Sequence, residues 1–162
     1  HRMEAQIAAW IKEGWIRSGD DNDVIENEVM MPDIVKLLEP YYLMSIAFDR
    51  GWQGASAGNY LQMTYGEDKV IQFNQGVLSM AAPFREFLEL TALGRLHHQG
   101  NPVMRWMVSN VTATSRGGLV KPDKDKSPEK IDGVTAACMA LGQAGADVAG
   151  TSVYGSRGII SI

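Results

Sequence analysis

Apolar positions along the chain alternate between helical and strand-like spacing. In "EAQIAAWIKEGWI", Ile7, Ala8, Trp10, Ile11 and Trp15 fall at helical intervals, which predicts a short amphipathic helix that stops at Gly14. "SGDDND" reads as a polar turn. "VIENEVMMPDIVKLLEPYY" predicts a second helix. Pro32 is expected to open its second half, Ile34, Val35, Leu37 and Leu38 form its apolar stripe, and Pro40 ends it. "YLMSIAFD" is short and continuously apolar, as a strand covered on both faces should be.

"SAGNYLQMTYG" predicts a helix with a glycine stop at Gly66, and "KVIQFNQG" a second short strand. In "MAAPFREFLELTALGRL", Phe84, Phe87, Leu88 and Thr91 share one helical face. "NPVMRWMVSNVTAT" is mixed: Met104, Met107, Val108 and Val111 keep helical spacing, while "VSNVTAT" favours a strand. "SRGGLVKPDKDKSPEK" reads as a polar, basic loop, and "KIDGVTAACMALGQAGA" as a helix of small and apolar residues. Residues 151–162 show no period and read as a loosely attached tail behind a domain at 1–150. Alternation of helices and short buried strands predicts an α/β sheet with helices on its faces.

Composition narrows the classes. The 162 residues suffice for one domain with a sizeable core. A net charge of -4 gives no bulk attraction to nucleic acid, so any such contact needs a local basic patch. The single cysteine, Cys138, excludes an internal disulfide and a cysteine zinc site, and its apolar setting predicts a buried structural thiol. No stretch is long enough to span a membrane, no signal peptide is visible, and a cytoplasmic setting is expected. No GxxxxGK[ST] loop is present, so ATP hydrolysis is not expected of this segment.

Two carboxylates stand out. Asp49 follows the apolar run "SIAF", where α/β folds place functional groups, just past the carboxyl end of a buried strand. It reads equally as a turn residue. Asp132, in "KIDGVTAACMALG", opens a small-residue helix, where an N-cap is the plain reading. Brought together, two hard-oxygen ligands suit Mg²⁺ or Mn²⁺ and support phosphodiester hydrolysis. Arg116, Lys121, Lys124, Lys126 and Lys130 gather just before Asp132. They form either a solvated charged loop, interrupted by Asp123, Asp125 and Glu129, or a set of contacts to DNA phosphates that read no sequence. His97 and His98 read as surface residues at a helix end. Trp10, Trp15 and Trp106 read as core, and Met30, Met31, Met104, Met107 and Met139 as packing residues. Asn110 satisfies backbone groups or orients a site carboxylate.

Taken in order, "IAFDRGW", "FNQGVLSMAAPFREFLEL", "GRLHHQGNPVMRWMVSNV" and "KPDKDKSPEKIDGVTAACMALG" resemble the large terminase subunit of tailed bacteriophages, from about Trp10 to Gly142. "NPVMRWMVSN" with "EKIDG" carries the resemblance most strongly. It implies a ribonuclease H-like nuclease domain, a mixed sheet with helices on both faces, that cuts concatemeric viral DNA with two divalent metals, Mg²⁺ or Mn²⁺. Asp49 and Asp132 match acidic positions of that family and become metal ligands, and Lys121, Lys124, Lys126 and Lys130 become candidate DNA contacts. The implied partners are double-stranded DNA, the phage portal and the small terminase subunit, with ATP used only by a motor domain. The implied setting is the bacterial host cytoplasm, at the procapsid.

The family also has an aspartate on its first strand. Nothing before Asp49 matches it: Asp20, Asp21 and Asp23 lie in a polar cluster and Asp33 in a helix candidate. With an opening "HRMEAQ" rather than methionine, the expectation is a nuclease domain lacking its first strands, with an open sheet edge, an incomplete metal site and weak activity as a piece. The rival expectation is a non-catalytic module that docks the packaging motor on DNA or portal. A resolvase or integrase is disfavoured by "NPVMRWMVSN".

Overall fold

A computed structural model of the chain describes residues 2–19, 27–49, 51 and 54–150. The elements run α1 (Arg2–Lys12), α2 (Asn27–Leu38), β1 (Ile46–Phe48), α3 (Gly54–Tyr65), β2 (Val70–Gln72), α4 (Val77–Ala92), α5 (Pro102–Ser109), β3 (Ala113–Arg116), β4 (Leu119–Pro122) and α6 (Asp132–Gly150). The readings that fall on Asp20, Asp21, Asp23 and residues 151–162 lie outside the described residues.

β1 and β2 pair in parallel, with Ile46 opposite Val70 and Phe48 opposite Gln72, and α3 makes the crossover that parallel strands require. Side chains of a strand alternate between its faces. Accordingly Ile46, Phe48 and Val70 pack with Met31 of α2 and Leu61 of α3. Ala47 packs with Met80, Phe84 and Phe87 of α4 and Val134, Cys138 and Met139 of α6. The strand pair is therefore covered by helices on both faces, as expected, but the strand is shorter than the apolar run: Tyr42 and Met44 lie outside it and are exposed. α6 also packs along α4, and Gly142 permits that approach: a Cβ there would stand 2.8 Å from both the Phe73 ring and Pro83 Cγ.

The mixed segment divides cleanly. Asn101 caps α5, its side chain accepting the Met104 N–H at 3.0 Å, with Pro102 following it in the helix's first turn. The helix ends at Ser109 and the chain is extended from Ala113.

Three expectations need correction. The basic "loop" begins as a hairpin: β3 and β4 pair antiparallel, Arg116 opposite Leu119, around Gly117 and Gly118 at φ 59° and 79°. Two consecutive positive φ angles suit a tight hairpin turn, which glycine adopts without strain. Pro32 lies inside α2 rather than opening a helical half. Its missing N–H costs one helical hydrogen bond, and the burial of Met31, 1% exposed against Leu61 and Val70, holds the helix across it. Trp15 is 42% exposed. It lies past the turn at Gly14, φ 79°, whereas Trp10 is buried with its ring centroid 5.6 Å from that of Trp106.

Among the described residues the strands form two separate two-stranded sheets, β1 with β2 in parallel and β3 with β4 antiparallel, and no sheet combines the two senses.

Candidate functional site

Asp49 is the first residue after β1 and is exposed. Its Oδ1 accepts the Gly51 N–H at 3.3 Å, the local side-chain contact of a turn. The Phe73 N–H donates to the Phe48 carbonyl at 2.8 Å, extending the pairing one step beyond the strands. Asp49 thus stands at the carboxyl end of the parallel pair. The turn reading of this residue is realised, and its carboxylate still faces solvent.

Asp132 is the first residue of α6. Ile131, 2% exposed, holds the N-cap position: its carbonyl accepts the Thr135 N–H at 3.0 Å. One residue on, the Gly133 N–H donates to Met107 Sδ at 3.1 Å, and a Cβ at Gly133 would lie 2.8 Å from that sulfur. Val134 and Cys138 are fully buried below. These contacts clamp the start of α6 onto α5 and leave the Asp132 carboxylate outside. Asp132 Oδ1 instead takes the Lys124 ammonium at 2.7 Å. That hydrogen bond holds the Asp132 carboxyl below its ordinary value of 3.8; burial opposes the shift, and the charges of Lys124 and Lys130 support it. The carboxylate is ionised at neutral pH, and the helix N-terminus favours that charge.

The segment that delivers Lys124 is a built turn. Asp123 Oδ1 accepts the N–H groups of Asp125 at 3.1 Å and Lys126 at 3.3 Å. Ser127 Oγ donates to the Asp123 carbonyl at 2.7 Å and accepts the Thr112 N–H at 3.0 Å. The Asp123 N–H donates to the Thr112 carbonyl at 2.8 Å.

The remaining candidate lysines differ. Lys130 is exposed and contributes its charge to Asp132. Lys126 donates to Thr114 Oγ1 at 3.0 Å and lies 3.6 Å from Asp123 Oδ2. Lys121 is partly buried and donates to the Gln75 carbonyl at 3.3 Å, a contact that ties β4 to the chain leading into α4. Sequence reasoning missed Lys124 as the partner of Asp132 and Asp123 as the organiser of the turn. The spacing of Asp123, Asp125 and Ser127 was the available signal.

α6 packs against β1, so Asp49 and Asp132 belong to adjoining elements. Among the described residues no three His, Cys, Asp or Glu side chains converge on one point. The two carboxylates are of the donor type that hard divalent cations take, exposed and, at Asp132, held in the charged form. His97 and His98 are exposed beyond α4. Asn110 ends α5; its backbone N–H donates to the Met107 carbonyl at 3.1 Å, the Val111 N–H donates to the Val108 carbonyl at 3.3 Å, and the buried Asn110 Nδ2 finds no hydrogen-bond partner among the described residues. Burial pushes the Cys138 thiol up to about 11, which leaves it protonated and inert. Among the described residues no helix is long and apolar enough to cross a membrane.

Residues 1–147 match the family described as "Terminase large subunit, endonuclease domain". The chain is 28% identical over 145 residues to the large terminase subunit of Enterobacteria phage HK97, an alignment covering 89% of this chain and 28% of that protein. It is 40% identical over 73 residues to Protein YmfN of Escherichia coli (strain K12), covering 43% of this chain and 16% of that one. The crystal structure of the HK97 bacteriophage large terminase superposes with a TM-score of 0.76 at 26% identity, covering 86% of this chain and 29% of that chain. The chain thus spans under a third of the length of each of these relatives.

Proposed function

The chain belongs to the terminase large subunit endonuclease-domain family, and we propose that it is a metal-dependent nuclease that cuts concatemeric double-stranded DNA during phage genome packaging. The observation that carries this reading is Asp132: an exposed carboxylate, held ionised, at the start of a helix packed on β1, the strand that leads into Asp49. A parallel strand pair with helices on both faces agrees with a ribonuclease H-like core.

In this reading Asp49 and Asp132 would hold Mg²⁺ or Mn²⁺. The bound ion supplies an activated water and neutralises charge at the cleaved phosphate. Asp49 is presented by the turn at Gly51, and Asp132 by the α6 start that Met107 and Ile131 fix. Lys124, Lys126 and Lys130 lie on the exposed side of the turn before α6 and approach the DNA backbone without reading sequence. Lys121, fastened to Gln75, contributes chiefly by fixing the hairpin. The work takes place in the host cytoplasm at the procapsid, alongside portal and small terminase subunit.

Incubating the full protein with plasmid DNA tests this. Cleavage is expected with Mn²⁺ or Mg²⁺ and none with EDTA. Equal cleavage in EDTA would overturn metal dependence, and DNA binding without cleavage in any divalent ion would favour the docking module.

A further inference from the structure

We propose that Lys124 is a resident counter-ion of Asp132 that an incoming divalent cation displaces, freeing its ammonium for a DNA phosphate. The inference rests on the reading of Asp132 as a metal ligand. The Lys124 ammonium is hydrogen-bonded to Asp132 Oδ1 at 2.7 Å, so it neutralises the carboxylate a cation would otherwise meet. The turn beneath it is fixed by Asp123 and Ser127, so the exchange needs only a swing of the lysine's flexible stem. Both side chains are about half exposed, 47% and 58%, so the pair opens without unpacking the core. Lys130 is exposed two residues before Asp132, and Lys126 lies on the turn before it, paired to Asp123. A displaced Lys124 therefore joins two cations on one exposed segment. Metal and DNA binding become linked: each favours the state in which Lys124 has left Asp132.

The test is Mn²⁺ titration followed by electron paramagnetic resonance, on the full protein without nucleotide or DNA. The variants are Lys124→Gln, Lys124→Arg, Asp132→Asn and the Gln/Asn double variant. Asp132→Asn identifies the relevant ion by removing it. At that site Lys124→Gln is expected to bind Mn²⁺ about two- to fivefold more tightly, as loss of a half-exposed pair allows, with Lys124→Arg close to the parent. Unchanged or weaker binding in Lys124→Gln, with the Asp132-dependent ion present, overturns the displacement alone. A Mn²⁺ count unaffected by Asp132→Asn overturns the ligand reading and the proposal with it. The DNA arm uses Ca²⁺ in place of Mn²⁺. Lys124→Gln is expected to lower the salt slope of DNA affinity by about one with Ca²⁺ and by none in EDTA. An equal change in both overturns the linkage.

Discussion

Gly58 of α3 lies so close to the Phe48 ring that a Cβ on it would stand 2.3 Å from Phe48 Cε2. The glycine is buried, and Phe48 is the last residue of β1, directly before Asp49. The helix that covers the sheet thus bears on the residue directly before the Asp49 turn. Gly58→Ala is expected to destabilise the protein by about 1–3 kcal/mol, as overpacking does, and to lower cleavage. Urea denaturation measures the first effect. In a double-mutant cycle, Phe48→Leu should recover part of the loss, since the clash is with the ring.

Asp132 carries a pH signature. Its folded-state value is lowered, so its contribution to stability is fully present above the ordinary value of 3.8 and is lost as pH falls through the lower folded value. The stability difference between the parent and Asp132→Asn is expected to be constant near neutrality and to shrink in acid. Because the pair is about half exposed, raising the salt at neutral pH should shrink it as well. Denaturation midpoints across pH and salt check both.

Cys138 is expected to resist thiol reagents in the native state at pH 8 and to react once unfolded. It is fully buried, and burial raises its thiol to about 11. The raised value makes the protonated form's contribution present below the unfolded-state value and lost only as pH climbs through about 11. Labelling rates across a denaturant series should follow the population of unfolded chain.

Asn101→Ala removes the side-chain cap of α5 and should cost about 0.5–2 kcal/mol. Because Met107 of the same helix receives the Gly133 N–H at the start of α6, the loss is expected to reach Asp132. Amide exchange at Gly133 is the specific readout, and it should rise more than exchange in α3.

Much of this architecture is legible from local pattern. The three residues of β1 before Asp49, Ile46, Ala47 and Phe48, are all apolar, as a strand covered on both faces requires. The helical spacing of Phe84 and Phe87 points to the core they build with Val134 and Cys138. The hairpin was hidden because its strands are mostly exposed, which left no apolar period, although "RGGL" held two glycines suited to a tight turn. Trp15 misled because it keeps the helical spacing of α1, while Gly14 has already turned the chain away. Both candidate aspartates stand out by their place in the pattern, each with a plain turn or cap reading beside it, and the family resemblance is what makes them candidate ligands. The Lys124 contact does not stand out, because it depends on how a turn folds back onto the start of α6.

The central claim is that Asp49 and Asp132 together support phosphodiester cleavage. Its most direct test is the rate at which the full protein cuts DNA in Mn²⁺, compared with Asp49→Asn and Asp132→Asn, with DNA affinity measured in Ca²⁺ as the control for folding. Each substitution is predicted to slow cleavage by at least about a hundredfold, equivalent to about 3 kcal/mol of lost transition-state stabilisation, while leaving DNA affinity within a few-fold. Cleavage at the parent rate in either variant would contradict the claim.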